Sequence, residues 1–140
     1  MAQLRAEPNL TPERLIRYFH DFQFKLGAQV QKPESFLAGR AGDCEDFAVL
    51  AAELLRERKY TTRLIAVFME HQTHVICAID EIHGYLDYNR RQELSPVQGT
   101  DGSLEDIANK VADYFRAPWR CVSEFTYDQG DRRFGRIAFR

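Results

Sequence analysis

Apolar residues along this chain recur with two different periods. From Leu15 through Ile16, Phe19, Phe22 and Leu26 the spacing is helical and predicts an amphipathic helix that Gly27 ends. Thr11-Pro12-Glu13 supplies its start, with Thr11 as N-cap and Pro12 at the first helical position, where a missing N–H costs nothing. His20 falls inside this helix and reads as a packing or surface residue. A loop is predicted from Val30 to Ala41, punctuated by Pro33 and Gly39. A central helix then runs from Asp43 to about Lys59. Apolar positions cover most of its circumference until Arg56, Glu57 and Arg58 return it to solvent, so it is expected to be largely buried.

Beyond it the pattern changes to runs of strand formers, Thr62 to Met69 and His74 to Ile79, with a turn at His83-Gly84 and a third strand from Tyr85 to Asn89. Ser95 to Ser103 reads as a loop, and Ser103 as the cap of a helix from Leu104 to Phe115. Cys121 to Tyr127 and Phe134 to Phe139 alternate like two strands, joined by a hairpin turn at Asp128-Gln129-Gly130-Asp131. Helices followed by mostly antiparallel strands predict an α+β fold, and 140 residues with 44% hydrophobic content suit one domain over 1–140.

Charge excludes some partners. A net charge of −2 without a basic stripe offers nothing to nucleic acid, and no apolar run is long enough for a membrane span. Met1 to Asn9 lack the apolar block of a secretion signal, so the chain as it stands reads as cytoplasmic; a periplasmic or secreted location would follow only for a chain whose signal had been removed. Cys44, Cys77 and Cys121 are odd in number and widely spaced, which predicts a reducing compartment, no disulfide and no zinc site.

Candidate chemistry concentrates at Gly42-Asp43-Cys44-Glu45-Asp46. Gly42 is expected to permit a tight bend and Asp43 to cap the central helix. Cys44 then lies in the first turn, where unpaired N–H groups and the positive end of the helix dipole favour a thiolate. A free cysteine is more often a small buried hydrophobe, but that role needs neither a Gly-Asp turn nor a helix dipole. Asp43, Glu45 and Asp46 would oppose a thiolate if left unpaired, and helix amides, Arg40 or a bound cation are the expected offsets.

A nucleophilic thiol needs a base and a group that orients the base. His74 at a strand start and Asp87 on the next strand fit these roles. A two-residue turn at Asp80-Glu81 would set position 74 opposite 87, whereas a wider loop centred on Ile82-His83 would slide Asp87 opposite Ala78 and require a bulge near Gly84. His71 and His83, in a loop and a turn, read as exposed. A metal site of His71 and His74 with Cys44 and Asp87 matches no compact zinc spacing. Gln29 and Gln31, in the loop leading to Cys44, are the candidate side chains for an oxyanion.

Gly42-Asp43-Cys44-Glu45-Asp46-Phe47-Ala48, the apolar helix after it, His74 at a strand start and Leu86-Asp87 together resemble the transglutaminase-like superfamily. The similarity spans about Pro33 to Asn89, and Lys32-Pro33-Glu34-Ser35-Phe36-Leu37 is similar to its bacterial cysteine-protease members. The resemblance implies a papain-like core with N-terminal helices and the nucleophile helix packed on a mostly antiparallel sheet. It also implies a thioester acyl-enzyme, with Cys44 as nucleophile, His74 as general base and acid, and Asp87 as the orienting carboxylate. The implied activity is amide hydrolysis or acyl transfer on a protein or peptide substrate, with hydrolysis favoured because 140 residues leave no room for the extra β domains of animal transglutaminases. No cofactor is required by this chemistry; some members bind calcium through carboxylates beside the nucleophile, which would fall on Asp43 and Glu45. The alternative from a different class is a non-catalytic binding or scaffolding module on the same fold.

Overall fold

The computed structural model describes residues 1–128 and 130–140. After one short turn, α1 (Ala2–Arg5), Thr11 accepts a hydrogen bond from the Arg14 N–H and begins α2 (Pro12–Tyr18). The helix stops there, well before Gly27. Phe19 and Phe22 are buried through a turn instead, His20 in that turn is exposed, and Leu26 is 79% exposed, so the apolar recurrence overran the helix. The chain enters β1 (Gln23–Phe24). The predicted loop is interrupted by α3 (Pro33–Gly39), which Pro33 opens and left-handed Arg40 closes. Phe36 is its one buried residue, so it shows no periodicity.

Next, β2 (Ala41–Gly42) pairs in parallel with β1. Gly42 is therefore a strand residue and not a bend. A Cβ there would stand 2.6 Å from the Phe36 ring and 2.7 Å from Asp46 Oδ2, so close approach is what demands glycine. The buried helix α4 (Cys44–Glu57) follows, with Phe47, Ala48, Leu50, Ala51, Leu54 and Leu55 in the core.

The strands β3 (Thr62–Met69), β4 (Thr73–Ile79), β5 (Gly84–Leu86) and β6 (Val97–Gly99) come next, then α5 (Leu104–Phe115), β7 (Trp119–Asp128) and β8 (Asp131–Phe139). The third strand ends at Leu86, earlier than expected, and β6 occupies part of the predicted Ser95 to Ser103 loop. Ser103 caps α5 through the Asp106 N–H, as expected. Asp128 pairs with Asp131, and Gln129 of the hairpin turn predicted there lies outside the described residues. The six strands form one antiparallel sheet in the order β6-β5-β4-β3-β7-β8, so the fold is α+β.

Both faces of this sheet are covered. Val75, Cys77 and Ile79 of β4 join α2 and α4 in one apolar cluster, while Ile76 and Ala78 join α5 in another. That two-sided burial explains why β3 and β4 read as near-continuous apolar runs. Thr62 Oγ1 donates to the Ala52 carbonyl, which holds the C-terminal half of α4 beside the start of β3, and Thr62 pairs with Ile79 at the end of β4. Running back about 12 Å of helix from Ala52, and about 17 Å of strand from Ile79, brings Cys44 and His74 to the same end of the sheet. Beneath the first turn of α4, Phe19, Phe22, Phe36, Phe47 and Tyr88 interlock with ring centroids 4.6 to 5.8 Å apart. Among the described residues no helix is long and apolar enough to cross a membrane.

Because Gly42 has no room for a side chain, Gly42→Ala should lower the unfolding free energy by about 1 to 3 kcal/mol in urea titration. An unchanged midpoint would show that Phe36 and Asp46 give way freely.

Candidate active site

Two buried carboxylates fix the start of α4. Asp43 Oδ1 accepts the N–H groups of Glu45 and Asp46, each at 3.1 Å, and Asp46 Oδ2 accepts the Asp43 N–H at 3.0 Å, closing a reciprocal capping box. The preceding loop is tied to the same pair. The Gln31 N–H donates to Asp46 Oδ1 at 2.7 Å, its Nε2 donates to Asp46 Oδ2 at 3.0 Å and to the Ala41 carbonyl at 2.9 Å, and the Gly27 N–H reaches Asp43 Oδ2 at 3.3 Å. Burial pushes the Asp43 carboxyl up and the neighbouring Asp46 charge adds to this, while the amide bonds from Asp46 and Gly27 oppose it.

Backbone and Gln31 amides therefore satisfy Asp43 and Asp46. Arg40 does not: it pairs with Asp21 and lies over the Phe22 ring. Glu45 is answered from the far end of the chain, where Arg132 of β8 donates to it through Nε at 2.9 Å and through Nη2. Both carboxylates proposed for calcium are thus engaged with protein donors, and among the described residues no group of three or more His, Cys, Asp and Glu is placed to hold a metal ion. The residues present do not fit a calcium site. The same holds for the His71, His74, Cys44 and Asp87 metal alternative.

His74 and Asp87 meet, though not by the expected register. The β4–β5 ladder pairs Cys77 with Leu86 and Ile79 with Gly84, without a shift at Gly84, which sets position 87 beside Ile76. Asp80–Ile82 forms a 3₁₀ turn and His83 adopts a left-handed conformation (φ 47°), so the connection is longer than two residues and shorter than the wide alternative. The displacement from His74 is two residues, and two residues preserve the face of the sheet. Asp87 also lies just past β5, where it caps a 3₁₀ turn, Tyr88–Arg90, by accepting the Asn89 N–H at 2.9 Å. From that position its Oδ1 lies 2.8 Å from His74 Nε2.

The pair is sealed. His74 is 3% exposed and Asp87 0%, and Asp87 Oδ2 is buried with no hydrogen-bond partner among the described residues. Phe115, the last residue of α5, sets its ring against the imidazole at 4.7 Å. Burial opposes charge on His74, but the Asp87 carboxylate, by its field and its hydrogen bond, and the Cys44 side chain together outweigh it and push the imidazole up to about 10. Cys44 is half-buried in the first turn of α4, and its side chain adds to that upward shift. With Nε2 held by Asp87, the ring nitrogen left for the thiol is Nδ1. The other thiols differ in setting. Burial pushes fully buried Cys77 up to about 12, and Cys121 sits half-buried on β7.

The remaining candidates fall outside this constellation. His71 and His83 are exposed in their turns. The Gln31 amide spends its donors on Ala41 and Asp46, so it braces the loop and has none to offer an oxyanion. Gln29 lines a cleft of about 750 Å³ with Ala28, Val30, Glu45, Val49 and Arg132. Sequence reasoning missed four residues that shape the site: Asp46 as the second half of the cap, Arg132, Phe115 and Tyr88. The acidic residue three after Asp43 was a readable capping-box signal. Arg132 and Phe115 act across long separations and left no local sign. Tyr88, next to Asp87, packs on Phe47 of α4 and donates to the Gln23 carbonyl at 2.7 Å, tying the His–Asp end to the Cys44 loop.

An α+β scaffold carrying a helix-start cysteine against a buried His–Asp pair defines a class broader than any one family. Within it, the chain belongs to the transglutaminase-like domain family, whose model matches residues 8–98. No curated protein matches the chain. The matched span holds Cys44, His74 and Asp87, and α5, β7 and β8 lie beyond it.

A histidine raised in the folded state stabilises the fold below its unfolded value, and that stabilisation disappears as pH rises through its folded value. The stability advantage of wild type over His74→Ala should therefore be full below about pH 6.5 and shrink from there towards pH 10, as read by thermal unfolding. An advantage that grows over this range would contradict a charged His74.

Proposed function

We propose that the protein is a thiol-dependent amide hydrolase or acyltransferase working through Cys44, His74 and Asp87. The observation that carries this reading is the buried 2.8 Å contact between His74 Nε2 and Asp87 Oδ1, with Cys44 beside the same imidazole. A non-catalytic module has no use for a charged imidazole held in the core beside a thiol.

In the proposed reaction the Cys44 sulfur, as thiolate, attacks the carbonyl carbon of a peptide or protein amide and forms a C–S bond. The imidazolium of His74 gives its proton to the departing amine as the C–N bond breaks, leaving a thioester. Neutral His74 then takes a proton from water, or from an acceptor amine, whose oxygen or nitrogen attacks the thioester. Collapse of that adduct expels the Cys44 thiolate and restores the ion pair. Asp87 holds the ring orientation throughout. The Asp43 cap serves the amides of Glu45 and Asp46 and not that of Cys44, which supports the Cys44 N–H as one oxyanion donor.

The test is iodoacetamide labelling resolved by peptide. At pH 6.5 Cys44 should react well ahead of Cys121 and Cys77, and His74→Ala should slow it by roughly 10- to 100-fold. Equal labelling of the three, or indifference to His74, would remove the catalytic reading. Cys44→Ala should abolish any amide hydrolysis found with peptide substrates, with a loss on the order of 10³-fold or more.

A further inference from the structure

The sheet has two edges of very different character. At one, β6 has three residues; at the other, β8 has nine, of which eight are exposed. A long unpaired edge is a template for another strand, and proteins shorten, cover, charge, bulge or pair it. Among the described residues no further strand pairs with the outer edge of β8. Its side chains divide by face according to the β7–β8 register. Arg132, Phe134, Ile137 and Phe139 stand opposite Tyr127, Phe125, Ser123 and Cys121 and share the face that carries α4; Arg133 and Ala138 stand opposite Thr126 and Val122 on the other.

Between these two groups the register shifts, with Gly135 and Arg136 both set against Glu124. This bulge reverses the usual odd–even alternation halfway along β8. In a regular strand, antiparallel pairing of two identical copies about an axis normal to the sheet joins residues of the same parity. With the bulge at the centre, only residues of opposite parity share a face.

We infer that β8 pairs antiparallel with β8 of a second copy of this chain, with the two-fold axis between Gly135 and Arg136. That register sets Phe134 against Ile137 of the second copy and Arg132 against its Phe139 on the α4 face. On the other face it sets Asp131 against Arg140 of the second copy and Arg133 against its Ala138. Phe134, Ile137 and Phe139, now 46%, 48% and 75% exposed, become two apolar strips that meet at the axis, and the one acidic residue of the strand finds a basic partner at each end. The register centred on Arg136 is excluded, since it opposes Arg136 to itself and mismatches the faces. Arg132 is already neutralised by Glu45 within its own copy, which lowers the repulsion between two basic strands. The result is a continuous twelve-stranded sheet with both candidate active sites on one side, six strands coming from each copy. This inference is independent of any activity at Cys44.

Sedimentation equilibrium of the full chain tests it, with circular dichroism to show that each variant folds. The wild type should form a dimer; Asp131→Arg and Arg140→Asp should each weaken it roughly tenfold or more, and the double exchange should restore it. A wild type that stays monomeric, single exchanges without effect, or a folded double exchange that fails to recover the dimer would each overturn the pairing. A monomer that instead captures acidic peptides along β8 would assign the edge to a different partner.

Discussion

Two carboxylates at the start of α4 hold the rest of the site in register. Asp43 and Asp46 cap each other's backbone, and between them they accept hydrogen bonds from Gly27 and Gln31, so one buried pair fixes the helix start and the loop that reaches it. Cys44 is locked between them. Buried acids are costly unless supplied with donors, and here each of the four oxygens has one. Gly42 makes this possible by leaving the space that Phe36 and Asp46 fill.

The opposite half of the site is held by the sheet. Asp87 serves at once as acceptor for His74, as cap of the turn that follows β5, and as neighbour of Tyr88, whose ring reaches the aromatic cluster under α4. Helix and sheet therefore meet through this aromatic packing. Phe115 closes the remaining side and comes from a helix outside the residues that the family model matches.

Much of this was legible in residues with local consequences. Thr11, Pro12, Asp43 and Ser103 each announce a helix start because capping is decided within three or four residues. The Gly-Asp-Cys-Glu-Asp stretch, with a His and an Asp spaced after it, marked the family. What escaped was set by distance. The two-residue slip of Asp87 depended on the shape of the turn at Asp80–Ile82, and the ion pair of Glu45 with Arg132 spans the chain from α4 to β8. Helix α3 escaped because a single buried Phe36 gives no period, and α2 was overextended because Phe19 and Phe22 keep helical spacing while packing from a turn.

The central claim is that His74 carries a proton at neutral pH inside the fold, held there by Asp87 and Cys44. Nitrogen-15 NMR of the His74 ring tests it directly. The account predicts both ring nitrogens protonated at pH 8, with titration only towards about 10, and a collapse of that state in Asp87→Asn. A neutral ring at pH 8, titrating near 6.5 and indifferent to Asp87, would mean that the buried pair is structural and that Cys44 has no charged partner.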